Sequence, residues 1–494
     1  MKNKVIILTS LLSLMACSNN PLIHQPATPY DVPAFDQIKI EHYRPAFQEA
    51  FKQNRAEVDA IVANPDAPTF ANTIEALDRS GRLLNDVSNI FFTLLESDGT
   101  DEMQALAEEI MPQLSQISDE IIMNEALFAR VKAVYEQKDQ LNLNPEQLML
   151  LNNTYKSFAQ NGANLNPEDK QKLMDINQEL GVLSLKFGNN IVSETNNCQI
   201  FVTNEADLEG LPASAKQAAK EEAIAAGRPD AWMFTPKRPS FTPVLQYCSN
   251  RELRKQLLLA YTTRANHDNE FDNKAIIRRI MELRIAKAQL FGYTCPADQI
   301  LVDCMAKDGK TAYDFLLSIW EPSLKAAKRE AAELQKLMNE DTVQPYSSTP
   351  LPPSTLQPWD WWYYTEKLRQ SKYALDVEQI RPYFELSNVR KGAFTLAHNL
   401  YGLNFEPTTE VPVYHPEVEA FKVTDKDGAL VGILYTDYFP RDTKRAGAWM
   451  TNFKVQYRDA DGTDHRPVIA NVGNFTKPTA DQPSLLDFPT CLAP

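Results

Sequence analysis

Two dipeptides, Asn144-Pro145 and Asn166-Pro167, constrain the fold of this 494-residue chain more than any other feature. Each sets a short side chain that can accept from the first free helical N–H groups before a residue that has no N–H and is fixed near a helical φ. Each therefore marks a helix start. After Asn166-Pro167, the apolar residues Leu173, Ile176, Leu180, Leu183 and Phe187 recur at steps of three and four, a stripe that must face a core. After Asn144-Pro145 come Leu148, Leu151, Tyr155 and Phe158, with Gly162 as the stop. Thr69 opens a further helix through Ile74 and Leu77. From about residue 33 to 190 the chain reads as a layer of antiparallel helices with short connections.

Beyond that layer the signals alternate. Residues 197–204 and 230–241 are short mixed stretches that read as strands or irregular crossovers. Ile276, Ile280 and Leu283 mark a helix ending near Gly292, and residues 311–338 a longer one, bent or broken at Pro322. Residues 347–358 are the most Pro-rich segment, a domain boundary or a flap over a cleft. Between residues 419 and 475 the period changes from helix to sheet. Asp427-Gly428 and Asp461-Gly462 each lie between strand-like runs and predict hairpins, because glycine accepts the positive φ of a tight turn. Asp459-Ala460-Asp461-Gly462 has the opening spacing of a calcium loop but not its later acidic ligand, so it reads as a turn. Residues 467–476 form a buried or half-covered strand: branched Val468, Ile469 and Val472 suit the pleat, Gly473 lets another backbone approach, and Lys477-Pro478 ends it. The fold class is mainly α, with a small antiparallel sheet near the C-terminus.

With 43% hydrophobic and 23% charged residues the chain is of ordinary soluble, globular composition, and its formal charge of −15 argues against a nucleic-acid partner. Residues 1–16 read as a targeting segment: Lys2 and Lys4 precede an apolar run too short to span a bilayer as a helix, and Leu14-Met15-Ala16-Cys17 resembles a bacterial lipobox. Cys17 would then carry a lipid and anchor the protein to a bacterial membrane in the cell envelope, on the periplasmic side or the surface. Ordinary secretion and an uncleaved anchor are the alternatives. Residues 17–33 read as a flexible tether. Cys198, Cys248, Cys295, Cys304 and Cys491 are odd in number and lack a close CxxC pair, which favours buried free thiols over disulfides, with Cys491 exposed in the tail.

None of the histidines, His24, His42, His267, His398, His415 and His465, stands in an HExxH, and they read as ordinary surface or core residues. No G-x-S-x-G, phosphate-loop or dinucleotide motif is present. Residues 358–364, PWDWWYY, concentrate three of the six tryptophans; they could wall a peptide cleft around Asp360 or pack a loop onto helices. Arg441, Lys444 and Arg445 read as a solvated basic turn or a carboxylate-binding cluster.

The segments Trp359-Asp360-Trp361-Trp362-Tyr363-Tyr364, Glu366-Lys367-Leu368-Arg369, Arg381-Pro382-Tyr383-Phe384-Glu385-Leu386, Asp437-Tyr438-Phe439-Pro440-Arg441-Asp442 and Asn474-Phe475-Thr476-Lys477-Pro478 occur in the order of a known family. The chain resembles the thimet-type zinc oligopeptidases, and among them the bacterial peptidyl-dipeptidases, over most of residues 34–486. The resemblance implies a helical, two-lobed scaffold around a channel for short peptides, with an N-terminal helical domain (34–200) and the first part of a catalytic domain (201–486). It also implies release of C-terminal dipeptides by zinc held on an H-E-F-G-H helix. The strand at Asn471, Val472, Gly473, Asn474 and Phe475 is, by the same resemblance, the edge that pairs with the peptide backbone. After Leu486 the pattern is lost: residues 487–494 contain Pro489, cannot form the zinc helix, and read as an aberrant tail with the catalytic helices missing. The expectation is a truncated chain, inactive alone, without the zinc of the complete family member. A lipid-anchored peptide binder without catalysis, or a poorly folded fragment, are the other readings.

Overall fold

The computed structural model describes residues 20–341, 355–373 and 377–486. The targeting segment with Cys17, the tail 487–494 and most of the Pro-rich stretch lie outside the described residues. From Asn20 onward the expected tether is packed. Leu22 and Val32 are buried in the largest core beside Phe35, and Asn20 donates from Nδ2 to the carbonyl of His42 at 2.7 Å. The segment's average polarity hides these two apolar anchors, whose burial, with the hydrogen bond from Asn20, offsets part of the cost of ordering the strap.

The helical layer comprises α1 (Ile40–Val62), α2 (Arg82–Asp98), α3 (Asp101–Ile122), α4 (Glu125–Glu136), α5 (Pro145–Gln160) and α6 (Pro167–Asn197). The caps act as their sequence predicts. Asn144 accepts from the N–H of Gln147 at 2.9 Å while Gln147 accepts from that of Asn144 at 3.1 Å, and Asn166 accepts from the N–H of Asp169 at 2.9 Å. Thr69 starts a wide π-type turn at Phe70–Glu75 that continues as a short α-turn, Ala76–Arg79. Of the predicted stripe on α5, Leu151 and Phe158 are buried and Leu148 faces water.

The two crossover stretches pair as antiparallel strands, β1 (Ile200–Val202) and β2 (Trp232–Phe234), with α7 (Ala213–Ala225) between them in sequence. There follow α8 (Arg238–Tyr247), α9 (Arg251–Thr262), α10 (Lys274–Leu290), α11 (Gly309–Glu340), α12 (Pro358–Tyr373) and α13 (Leu386–Tyr401). Helix α11 runs unbroken through Pro322. That proline and Ser318, four residues before it, are both exposed, so the carbonyl that loses its partner belongs to a solvent-facing turn.

The sheet is built from β3 (Asn404–Thr408), β4 (Glu419–Thr424), β5 (Leu430–Asp437), β6 (Trp449–Lys454) and, after the small hairpin β7 (Tyr457–Arg458) and β8 (Asp464–His465), β9 (Val468–Val472). Asp427-Gly428 joins β4 to β5 with Gly428 at φ 82°, and Asp461-Gly462 joins β7 to β8 with Gly462 at φ 90°. The strand order is β3-β4-β5-β9-β6, and β9 runs parallel to β5. The sheet is therefore mixed, not wholly antiparallel. The parallel pairing depends on Gly432, where a Cβ would stand 2.8 Å from the carbonyl oxygen of Pro467. One face of the sheet is covered by the first helices: Phe47, Phe91 and Ile110 share a core with Tyr435, Phe453, Val468 and Ala470.

Candidate functional site

A cleft of about 930 Å³ separates the C-terminal half of α6, the start of α8 and the end of α9 from the turn at residues 440–448 and the segments 474–476 and 485–486. That volume suits a ligand of a few residues.

Its sheet-side wall is fixed from beneath by Asp437, at the end of β5. Ile433, Tyr435 and Asp437 alternate onto one buried face of the strand, so the carboxylate is carried into the interior. Arg441 donates to it from Nη1 and Nη2 at 2.9 and 2.6 Å, Lys444 from Nζ at 2.8 Å, and the Tyr414 hydroxyl at 2.8 Å. Burial alone would raise the Asp437 carboxyl, but the hydrogen bonds from Arg441 and the charge of Lys444 more than offset it and hold it below the usual carboxylate range. Lys444 also donates to the carbonyls of Asp437, Phe439 and Gly473 at 2.8–2.9 Å, tying the turn to the end of β9. The basic turn is thus not solvated as a whole: Lys444 is buried, Arg441 is nearly so and also pairs with Asp98, and Arg445 stays exposed against Glu96.

The opposite wall carries Arg264, just beyond α9. Its Nε donates to the carbonyl of Tyr261 at 2.9 Å, its Nη1 to the Thr195 hydroxyl at 3.2 Å, and its guanidinium lies 4.2 Å from the centre of the Tyr261 ring. The loop that follows is held by buried Glu194 of α6, which accepts from the N–H of Ala265, from Asn269 Nδ2 at 2.9 Å and from His267 Nδ1 at 2.6 Å. Ala265 and Asp268 have left-handed backbone there, φ 56° and 53°. Burial works to raise the Glu194 carboxyl, and the bonds from His267, Asn269 and Ala265 lower it below its ordinary value.

The expected peptide-pairing edge needs correction. Asn471 and Val472 are paired on both sides, to Thr436 and Asp437 of β5 and to Met450 and Trp449 of β6, so β9 is an interior strand. Gly473 and Phe475 continue the pairing through their N–H groups to the carbonyls of Asp437 and Tyr438, at 2.8 Å each. Asn474 donates to the carbonyls of Arg445 and Gly447, at 3.1 and 2.6 Å. Asn474 and Phe475 line the cleft, and the edge strands of the sheet are β3 and β6, of which β6 lies beside β9. A run of apolar β-branched residues fits an interior strand, and only the order of pairing, a non-local fact, tells it from an edge.

The aromatic run is helical, in α12, and its carboxylate is structural. Asp360 is fully buried; it accepts from Arg251 Nε and Nη2 at 2.9 and 2.7 Å and from Arg254 Nη2 at 3.0 Å, bolting α12 to α9. Tyr364, Trp361 and Tyr363 pack with Leu334 and Met338 of α11, and Trp362 stacks on Phe241. Among the described residues no group of three or more His, Cys, Asp or Glu is placed to hold a metal. The histidines have other local roles: His42 caps α1, His398 contacts the carbonyl of Leu403, His415 accepts from the N–H of Glu417, and His465 lies between Asp459 and Asp31. Of the cysteines described, all free, Cys248 is buried, Cys198 and Cys295 are partly covered and Cys304 is exposed, so burial accounts for only one.

Residues 244–490 match the model of Peptidase family M3. Over 470 residues, 95% of this chain and 67% of the relative, the sequence is 37% identical to a dipeptidyl carboxypeptidase of Salmonella typhimurium. The chain belongs to peptidase family M3. A dipeptidyl carboxypeptidase of Escherichia coli is 36% identical over 94% of the chain and 67% of its own length, and oligopeptidase A of Salmonella typhimurium is 31% identical with the same coverages. M3 enzymes are zinc metallopeptidases. The described residues do not fit that ion, since the donors a zinc site needs are not gathered anywhere among them.

Proposed function

We propose that this chain is the peptide-binding scaffold of a dipeptidyl carboxypeptidase-type M3 peptidase, with short peptides seated in the cleft between α6, α8 and the 440–448 turn. The observation that carries the reading is the alignment of 95% of the chain with a dipeptidyl carboxypeptidase, taken with a cleft of a size for a few residues. Zinc supplies an activated water in such enzymes. These 494 residues contain no HExxH, so no hydrolytic step is assigned to them, and we infer that by themselves they bind peptides without cleaving them. The test is fluorescence anisotropy of a labelled tetrapeptide with the purified protein, followed by chromatography of the mixture with added zinc and with a chelator. Saturable binding and intact peptide are expected. Chelator-sensitive release of a dipeptide would overturn the inactive reading, and absence of binding would overturn the scaffold reading.

We also propose that the protein works at the cell envelope, held to a bacterial membrane by a lipid on Cys17. The support is the Leu14-Met15-Ala16-Cys17 sequence after a basic start and a short apolar run. Metabolic labelling with a tagged fatty acid should mark the expressed protein and not its Cys17→Ser variant; an unlabelled parent protein rules the anchor out.

A further inference from the structure

The cleft carries a charge that the whole chain does not. In a protein of formal charge −15, seven Lys and Arg residues and no Asp or Glu contribute to the lining of this cleft, although the Lys444 side chain itself is buried beneath it. Most are balanced from behind. Lys237 pairs with Asp442, Arg441 and Lys444 share Asp437, Arg445 pairs with Glu96, and Arg381 donates to the carbonyl of Leu485. Arg264 and Arg238 differ, since neither has an ion pair among the described residues.

Arg264 is the more constrained of the two. It is partly covered, and the acceptors it has, a carbonyl and a hydroxyl, are neutral. They occupy two of its five donors and leave the Nη2 edge without a protein acceptor among the described residues. A partly desolvated guanidinium is costly unless an anion meets it. The backbone that aims it is strained: Ala265, the next residue, is left-handed, and Glu194 holds it there through its N–H while gripping His267 and Asn269. Asn273 closes the loop by donating to the carbonyl of Phe187 at 3.0 Å and accepting from Asn190 at 2.9 Å. Left-handed backbone at a non-glycine residue is strained and persists where surrounding bonds enforce it, as they do beside ligand clamps. The result is a cation set in position before any ligand arrives, which lowers the cost of binding one.

We propose that Arg264, assisted by Arg238, binds a carboxylate of the peptide held in the cleft, either its free C-terminus or an acidic side chain. This rests on the peptide-cleft reading above. A planar guanidinium with an open edge suits a two-pronged carboxylate. Glu194 serves as a positioning residue that fixes the direction of the guanidinium.

The experiment compares three N-terminally labelled peptides by anisotropy on the intact protein: one with a free C-terminus, its C-terminal amide, and that amide with an added glutamate. Loss of the carboxylate should weaken binding about tenfold, the equivalent of one charge-assisted contact. Arg264→Gln should bind acid and amide alike, at the amide's affinity, while Arg264→Lys keeps part of the preference and Arg238→Gln loses part of it. Recovery by the glutamate amide assigns the carboxylate to a side chain, and failure to recover assigns it to the C-terminus. Equal binding of all three by the parent protein overturns the proposal alone, as does full discrimination by a folded Arg264→Gln, its fold checked by its urea midpoint. If no peptide binds, the scaffold reading falls as well.

Discussion

At the residue scale the cleft depends on one buried carboxylate. Lys444→Met removes an ammonium that meets Asp437 and three carbonyls and leaves Asp437 with less compensation; breaking a buried pair of this kind costs about 3–5 kcal/mol, which urea denaturation at pH 7 will measure. The pH dependence follows from direction. Asp437 is held below its ordinary value in the fold, so its contribution is fully present above the unfolded value of about 4 and is lost as pH falls through the lower folded value. Asp437→Asn is therefore less stable than the parent protein at pH 7, and the gap narrows when urea midpoints are measured at pH 3. A gap that stays constant contradicts the ionised network. The alternation Ile433, Tyr435, Asp437 carries this carboxylate inward in the fold, but the sequence alone marks the segment only as a strand and does not place Asp437 inside. The basic residues that answer it sit in an irregular turn, where no periodicity says which way a side chain faces. Arg264 and Glu194 were illegible for a different reason: they are seventy positions apart, and only the packing of the loop on α6 joins them.

At the element scale, what was legible was local. Caps at Asn144 and Asn166 and the turns at Asp427-Gly428 and Asp461-Gly462 need only neighbouring residues, and each forms as read. The parallel contact of β9 with β5 joins strands about thirty residues apart across β6, and this non-local pairing made an interior strand look like an edge. Gly432→Val sets a branched side chain against the carbonyl of Pro467. It should destabilise the protein by about 1–3 kcal/mol as an overpacked contact and lower its melting temperature, whereas an unchanged value would contradict the close approach of the two strands. Asp360→Asn strips the charge that Arg251 and Arg254 share and should loosen α12 from α9, seen as faster amide exchange in residues 358–373 with the sheet still protected.

At the scale of the whole molecule, an acidic exterior surrounds a basic cleft, and large apolar side chains stand in water on the helices away from it. Phe315, Leu316 and Trp320 of α11 are each at least 60% exposed, and Met305 is almost wholly so. Exposed apolar area on this scale favours association, so the isolated chain should bind a hydrophobic dye and sediment as species that grow with concentration. A monomer that binds no dye would contradict this picture of the surface. Helix caps and apolar periods foretold the mainly helical class, but composition averaged over the chain conceals both the basic cleft and the apolar helix faces.

The central claim, that peptides occupy the cleft between α6, α8 and the 440–448 turn, is tested most directly by photo-crosslinking. A short peptide carrying a diazirine is bound to the protein, irradiated, and its attachment sites mapped by mass spectrometry. The account predicts adducts within residues 236–247, 440–448 and 474–476 that an excess of unlabelled peptide suppresses. Competable adducts confined to the separate groove around Asn54, Arg82 and Tyr457 would contradict it.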